Sequence, residues 1–235
     1  MSELEEIEAA MITYYDLQSP DSERLMGDDN ESDGKRDRKP CPVTNTHSEG
    51  GPRVGSLCLQ MKHNRRDERI IWGWQNSIVL HESLLGEFEH QRFTGYRVKP
   101  ATVRFRDGST SIEYREFIVT GWAGIASPES GVRVDMSCQG CHWKHYSPIT
   151  NHEKLIDWNQ WTGEDFFIVW PLPLHVLITE RVAEWLQLEK VKSFRLERLE
   201  DEDPFIAKYG FTVGRLSHFL PEDLAIKYGR TLGLE

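Results

Sequence analysis

Tyr96-Arg97-Val98-Lys99-Pro100-Ala101-Thr102-Val103-Arg104-Phe105, then Arg106-Asp107-Gly108-Ser109-Thr110, then Ser111-Ile112-Glu113-Tyr114-Arg115-Glu116-Phe117-Ile118-Val119-Thr120, is the stretch that decides the fold class. Apolar and polar residues alternate through both outer parts, the period of a half-buried β-strand. Asp107-Gly108 between them supplies residues able to take positive φ, the strongest short-range hairpin signal. A third strand is expected over Val132 to Met136, with Gly121, Gly124, Pro128 and Gly131 marking the turns before it.

Working outward, two segments change to helical spacing. Leu84, Leu85 and Phe88 follow His81-Glu82-Ser83, and Val182, Trp185 and Leu186 follow Thr179-Glu180, where Thr179 is a reasonable N-cap. A short third helix is expected from Pro221, whose missing N–H is harmless in a first turn, to Gly229. A shift of 98 positions lays Val79-Leu80-His81-Glu82 on Leu177-Ile178-Thr179-Glu180 and Gly95-Tyr96-Arg97-Val98 on Ser193-Phe194-Arg195-Leu196. The expectation is therefore an α+β fold: an antiparallel-rich sheet with two packed helices, arranged as two related strand-helix-strand halves.

The N-terminal stretch is different in kind. Residues 19–67 are rich in Asp, Glu, Ser, Gly, Lys and Arg, as in Gly27-Asp28-Asp29-Asn30-Glu31-Ser32-Asp33-Gly34. Such a composition buries too little apolar area to offset conformational entropy. Residues 1–69 are accordingly expected to be mostly disordered, with a short strand at 12–17, and residues 70–235 to form a single α+β domain.

The formal net charge of -10 argues against a nucleic-acid surface and suits a basic protein partner. The opening Ser2-Glu3-Leu4-Glu5-Glu6 is the wrong charge for an export signal, so a cytoplasmic location is expected. The most apolar run, Phe166 to Ile178, contains Pro171, Pro173 and His175. It is shorter than the roughly 20 residues a membrane helix needs and reads as buried strand.

Four cysteines are present, Cys41, Cys58, Cys138 and Cys141, and only the last two form a recognisable motif. Cys138-Gln139-Gly140-Cys141 follows a predicted strand, where a CxxC turn can present two thiolates to one zinc ion. Tetrahedral zinc needs two further ligands, for which Cys41, Cys58 and His142 are the candidates. A thioredoxin-like role would require the pair to open a helix, and Ser147-Pro148-Ile149-Thr150-Asn151 reads as loop.

The segment Asp157-Trp158-Asn159-Gln160-Trp161-Thr162-Gly163-Glu164-Asp165 alternates aromatic with carboxylate and amide side chains. Two readings stand beside each other: a partner-binding loop carried by Trp158, Trp161, Glu164 and Asp165, or a loop pinned to the sheet by its tryptophans. As a hydrolytic acid and base, Glu164 with Asp157 or Asp165 would need a cleft. No nucleophile elbow, P-loop or dinucleotide glycine motif accompanies them, and a non-catalytic role is expected.

The order of strand, CxxC, Asp165-Phe166-Phe167 with Trp170-Pro171, and Ile178-Thr179-Glu180-Arg181-Val182-Ala183 before Ser193-Phe194-Arg195-Leu196 resembles the double-CXXCG motif family. Tyr14-Tyr15-Asp16-Leu17 is similar to that family's opening strand. These are myxobacterial-type paralogues that include toxin-immunity proteins. The resemblance implies a protein-binding module neutralising a cognate toxin, and the net charge of -10 would suit a basic one. The chain departs from the pattern at Cys41-Pro42-Val43-Thr44, where Thr44 stands for a second Cys, and at His142, where the family has Gly. A zinc-ribbon-like regulatory or adaptor protein, with structural zinc on the CxxC, is the alternative.

Overall fold

The computed structural model describes residues 13–20, 40–45, 47, 55–73, 77–199, 208 and 210–234. The central hairpin is β5 (Tyr96–Arg104) against β6 (Thr110–Val119), in register from Tyr96 opposite Val119 to Arg104 opposite Thr110. Gly108 closes it at φ 83°, and the Phe105 N–H donates to Ser109 O at 2.8 Å. Around it lie β2 (Leu57–Gln60), parallel to β5, then β4 (Ile78–His81) and β3 (Ile70–Trp72), in the order β2-β5-β6-β4-β3.

A second five-stranded sheet has the order β12-β1-β11-β10-β7, from β1 (Tyr14–Gln18), β7 (Gly121–Ile125), β10 (Phe166–Trp170), β11 (Val176–Thr179) and β12 (Arg195–Glu197). Only β7 and β10 run parallel in it. A small third sheet, β13-β9-β8, is built from β8 (Val134–Ser137), β9 (Lys144–Tyr146) and β13 (Phe211–Val213). The whole is a mixed α+β fold with antiparallel-rich sheets.

Helices α1 (Glu82–His90) and α2 (Glu180–Leu188) bury Leu84, Leu85 and Phe88, and Val182, Ala183 and Leu186. These side chains share one core with Ile78 and Leu80 of one sheet and Phe166, Ile168 and Trp170 of the other. Phe88 is its hub, with Phe93, Phe117 and Trp185 edge-on and Phe166 5.4 Å away. Phe167 and Val169 point to a second cluster with Ala123, Leu155 and Leu177. Burial of β10 on both faces explains why its sequence is continuously apolar instead of alternating.

Two parts of the expected architecture are corrected. A third helix, α3 (Glu222–Gly229), belongs to the main core: Ala225 is buried there with the flanking Leu216, Leu220 and Leu234. It is as much a packing element as the other two. The chain is also not two equivalent strand-helix-strand halves. Although a strand leads into α1 and into α2, the strand between their flanking strands is the following β6 in one sheet and the distant β1 in the other. The added parallel strands, β2 beside β5 and β7 beside β10, differ as well, and α3 and the small sheet have no counterparts among the described residues. Amphipathic spacing repeats for any helix packed on a sheet, so the alignment at 98 positions carried no topology.

Thr179 is the N-cap residue of α2 but makes no side-chain capping bond; its hydroxyl donates to Asp165 Oδ1 at 3.2 Å instead. β1 and β2 both lie within 1–69, and the disorder expected for most of that stretch falls largely outside the described residues. Among the described residues no helix is long and apolar enough to cross a membrane.

Candidate metal centre

The small sheet exists to hold a turn. β8 and β9 pair antiparallel, Met136 opposite His145 and Ser137 opposite Lys144, and Cys138-Gln139-Gly140-Cys141 forms the tip. The Cys138 N–H donates to Trp143 O at 2.8 Å and the His142 N–H to Cys138 O at 3.0 Å, with His142 at φ 62°. This left-handed residue turns the chain back after the second cysteine. The backbone N–H groups of Gly140 and Cys141 face the Cys138 sulfur and draw its pKa down to about 6. Burial, followed by the neighbouring thiols, pushes Cys141 up to about 11.

A second segment faces this turn. Cys41-Pro42-Val43-Thr44 bends so that the Val43 N–H donates to Cys41 Sγ at 3.4 Å, the same kind of contact made at Cys138. Pro42 and Val43 lie against Gly140, where a Cβ would come within 2.9 Å of Pro42 Cγ and 2.7 Å of Val43 Cγ2. Only glycine lets the two turns approach this closely. His47 then stacks on Trp143, ring centroids 4.3 Å apart and planes within 9°.

These contacts gather Cys41, His47, Cys138 and Cys141, with one ligand atom of each within 4.8 Å of every other. All four cysteines of the chain are free and half-buried. Cys41 Sγ and Cys138 Sγ are 3.7 Å apart, and Cys141 Sγ and His47 Nδ1 are 3.6 Å apart. A tetrahedral zinc ion with sulfur at about 2.3 Å and nitrogen at about 2.0–2.1 Å has S···S edges of about 3.8 Å and S···N edges of about 3.5 Å. These two edges match, all four ligand atoms lie within 4.8 Å of one another, and the three-sulfur, one-nitrogen donor set is one that zinc favours.

Of the expected ligands, Cys41, Cys138 and Cys141 are brought together. Cys58 sits in β2 opposite Thr102, and His142 serves as the left-handed turn residue; neither is in the cluster. His47 was missed by sequence reasoning. Its only signal was being the first histidine after the incomplete knuckle Cys41-Pro42-Val43-Thr44, at no standard ligand spacing.

The hairpin is fastened to the main body through Tyr146, whose hydroxyl accepts from Trp170 Nε1 at 2.9 Å and whose ring stacks on Phe211 at 5.8 Å. The aromatic loop lies elsewhere. Trp158 and Trp161 meet edge to face at 5.4 Å and are half-buried against the second apolar cluster. Asp165 accepts from Thr94 N–H at 2.9 Å and from Arg181 at 3.2 Å, while Asp157 accepts from Asn159 and Gln160 of its own turn. Those turn hydrogen bonds, the Gln160 one foremost, hold the Asp157 carboxyl below its ordinary range. Glu164 Oε2 is buried without a hydrogen-bond partner among the described residues.

No protein-family model matches the chain. No curated protein matches it either.

Proposed function

We propose that this protein is a zinc-ribbon-like regulatory or adaptor protein whose zinc is structural, held by Cys41, His47, Cys138 and Cys141. The observation that carries the reading is the agreement of the 3.7 Å S···S and 3.6 Å S···N separations with the edges of a zinc tetrahedron. Four protein ligands complete that tetrahedron and leave no position for water or substrate, the arrangement of a structural and not a catalytic zinc. When bound, the ion supplies folding energy by tying Cys41 and His47 to the β8–β9 turn. The adaptor part of the reading draws on β8, an outer strand with Val134 and Met136 exposed beside the centre.

The test is metal analysis of protein purified without chelator, beside a Cys138→Ser, Cys141→Ser double variant. One zinc per chain, absent from the variant and accompanied by a lower melting temperature on its loss, is expected. A wild-type protein that carries no zinc, takes none up from buffer and melts at the same temperature with chelator present contradicts the reading.

A further inference from the structure

The charge of -10 is a sum over the chain, and it conceals a local excess of the opposite sign. β2 and β5 run parallel with Gln60 opposite Arg104, so the segments leaving both strands emerge at the same end of the sheet. They stay paired beyond it: the Met61 N–H donates to Arg104 O at 2.8 Å and the Arg106 N–H to His63 O at 3.2 Å. Asn64 Oδ1 accepts from the Asp107 N–H at 2.8 Å. Lys62, Arg65 and Arg66 are thereby set beside Arg104 and Arg106, although some forty positions separate the two groups in sequence.

Lys62, Arg65, Arg66 and Arg106 are all exposed. Arg66 is oriented, its guanidinium 5.3 Å above the Phe105 ring and donating to Ser109 Oγ at 2.7 Å and Asp107 Oδ2 at 3.4 Å. The side chains of Lys62, Arg65 and Arg106 have no hydrogen-bond or ion-pair partner among the described residues. Nearby carboxylates are engaged or fewer. Asp107 accepts from Ser109 N–H at 2.9 Å, Glu68 accepts from Ser193 Oγ at 2.9 Å, and Asp67 is exposed.

We propose that this end of the sheet contacts the phosphate backbone of a nucleic acid. Of the three exposed cations without side-chain partners among the described residues, Lys62, Arg65 and Arg106, two are arginines, whose planar fork matches a phosphate by two parallel hydrogen bonds. Phe105 is buried beneath Arg66, so the patch offers no exposed ring for base stacking. The contact is therefore one of backbone charge, insensitive to base sequence and opposed at long range by the chain's net negative charge. It goes beyond the zinc reading and stands on different residues.

The experiment is fluorescence anisotropy of labelled DNA and RNA duplexes titrated with the zinc-loaded full chain, between about 50 and 200 mM salt. The expected result is an affinity that falls linearly in log–log form with salt, for duplexes of unrelated sequence alike. An Arg65→Gln, Arg106→Gln variant should bind about tenfold more weakly at the lowest salt and lose about two from the magnitude of that slope. A Lys154→Gln, Lys227→Gln control, on elements away from the patch, should match the wild type. No binding at the lowest salt, unchanged binding by the arginine variant, or equal competition by an acidic polypeptide at matched charge would overturn the proposal. Zinc content of the same preparation reports separately on the metal centre.

Discussion

The indole of Trp143 lies face to face with the imidazole of His47, at 4.3 Å between centroids and 9° between planes. This stacking fixes the ring so that Nδ1 is turned toward Cys141 Sγ, 3.6 Å away. Groups that orient a metal-bound histidine typically contribute 10–100-fold to affinity. Trp143→Ala is expected to weaken zinc binding by about that factor, and Trp143→Phe, which keeps a flat ring, to recover most of it. Competition against a chromophoric chelator measures both. Equal affinity of the alanine variant and the wild type would show that the stacking positions nothing.

Gly140 and Gly86 make an opposed pair. A methyl group at Gly140 would press on Pro42 and Val43, whereas at Gly86, exposed in α1, it meets nothing within 4 Å. Gly140→Ala is expected to cost about 1–3 kcal/mol by forcing the two metal-binding turns apart. Gly86→Ala should instead stabilise the protein by about 0.5–1 kcal/mol through lower unfolded-state entropy. Urea titration of the two variants reads both signs.

The bond from Trp170 Nε1 to the Tyr146 hydroxyl, 2.9 Å long and buried, joins the metal-bearing sheet to the main core. Tyr146→Phe removes the acceptor and leaves the indole N–H unpaired, at a cost of about 1–3 kcal/mol. The loss should appear in denaturant unfolding while zinc stoichiometry stays at one. A neutral substitution would mean that stacking on Phe211, and not this bond, carries the attachment.

Zinc binds thiolates, so each thiol still protonated before binding must release its proton. With Cys141 raised to about 11, its proton is displaced on binding throughout the neutral range, and affinity should rise with pH there. With Cys138 lowered to about 6, its proton joins the exchange only as pH falls below that value. The slope of log affinity against pH is therefore expected to steepen by at least one on passing below about 6, where Cys138 becomes a thiol. Isothermal titration calorimetry in buffers of different ionisation enthalpy counts these protons directly. A slope unchanged across that pH would contradict the assignment.

Much of the fold was legible in the sequence where local signals and tertiary structure agree. The Asp107-Gly108 hairpin, the faces of α1 and α2 and the run of β10 follow from period, turn chemistry and continuous apolarity. What was not legible depends on partners distant in sequence. Nothing local in Tyr14–Gln18 says that it inserts between β11 and β12, and the size of α3 gave no hint that Ala225 sits in the main core. At the metal centre the CxxC turn was readable because both ligands and the turn are contiguous. Cys41 was a candidate ligand in the sequence but at no standard spacing from the CxxC, and only the fold brings its turn against Gly140. His47 was hidden because its role is set by Trp143, nearly a hundred residues away. The immunity role that the resemblance to the double-CXXCG family implies rests on that resemblance alone.

The most direct test of the central claim is X-ray absorption fine structure at the zinc edge on the purified, metal-loaded protein. Three sulfur neighbours at about 2.3 Å and one nitrogen at about 2.0–2.1 Å are expected, with the nitrogen signal lost in His47→Ala. A first shell of two sulfurs filled out by oxygen, or a spectrum unchanged by His47→Ala, would contradict a closed site built from Cys41, His47, Cys138 and Cys141.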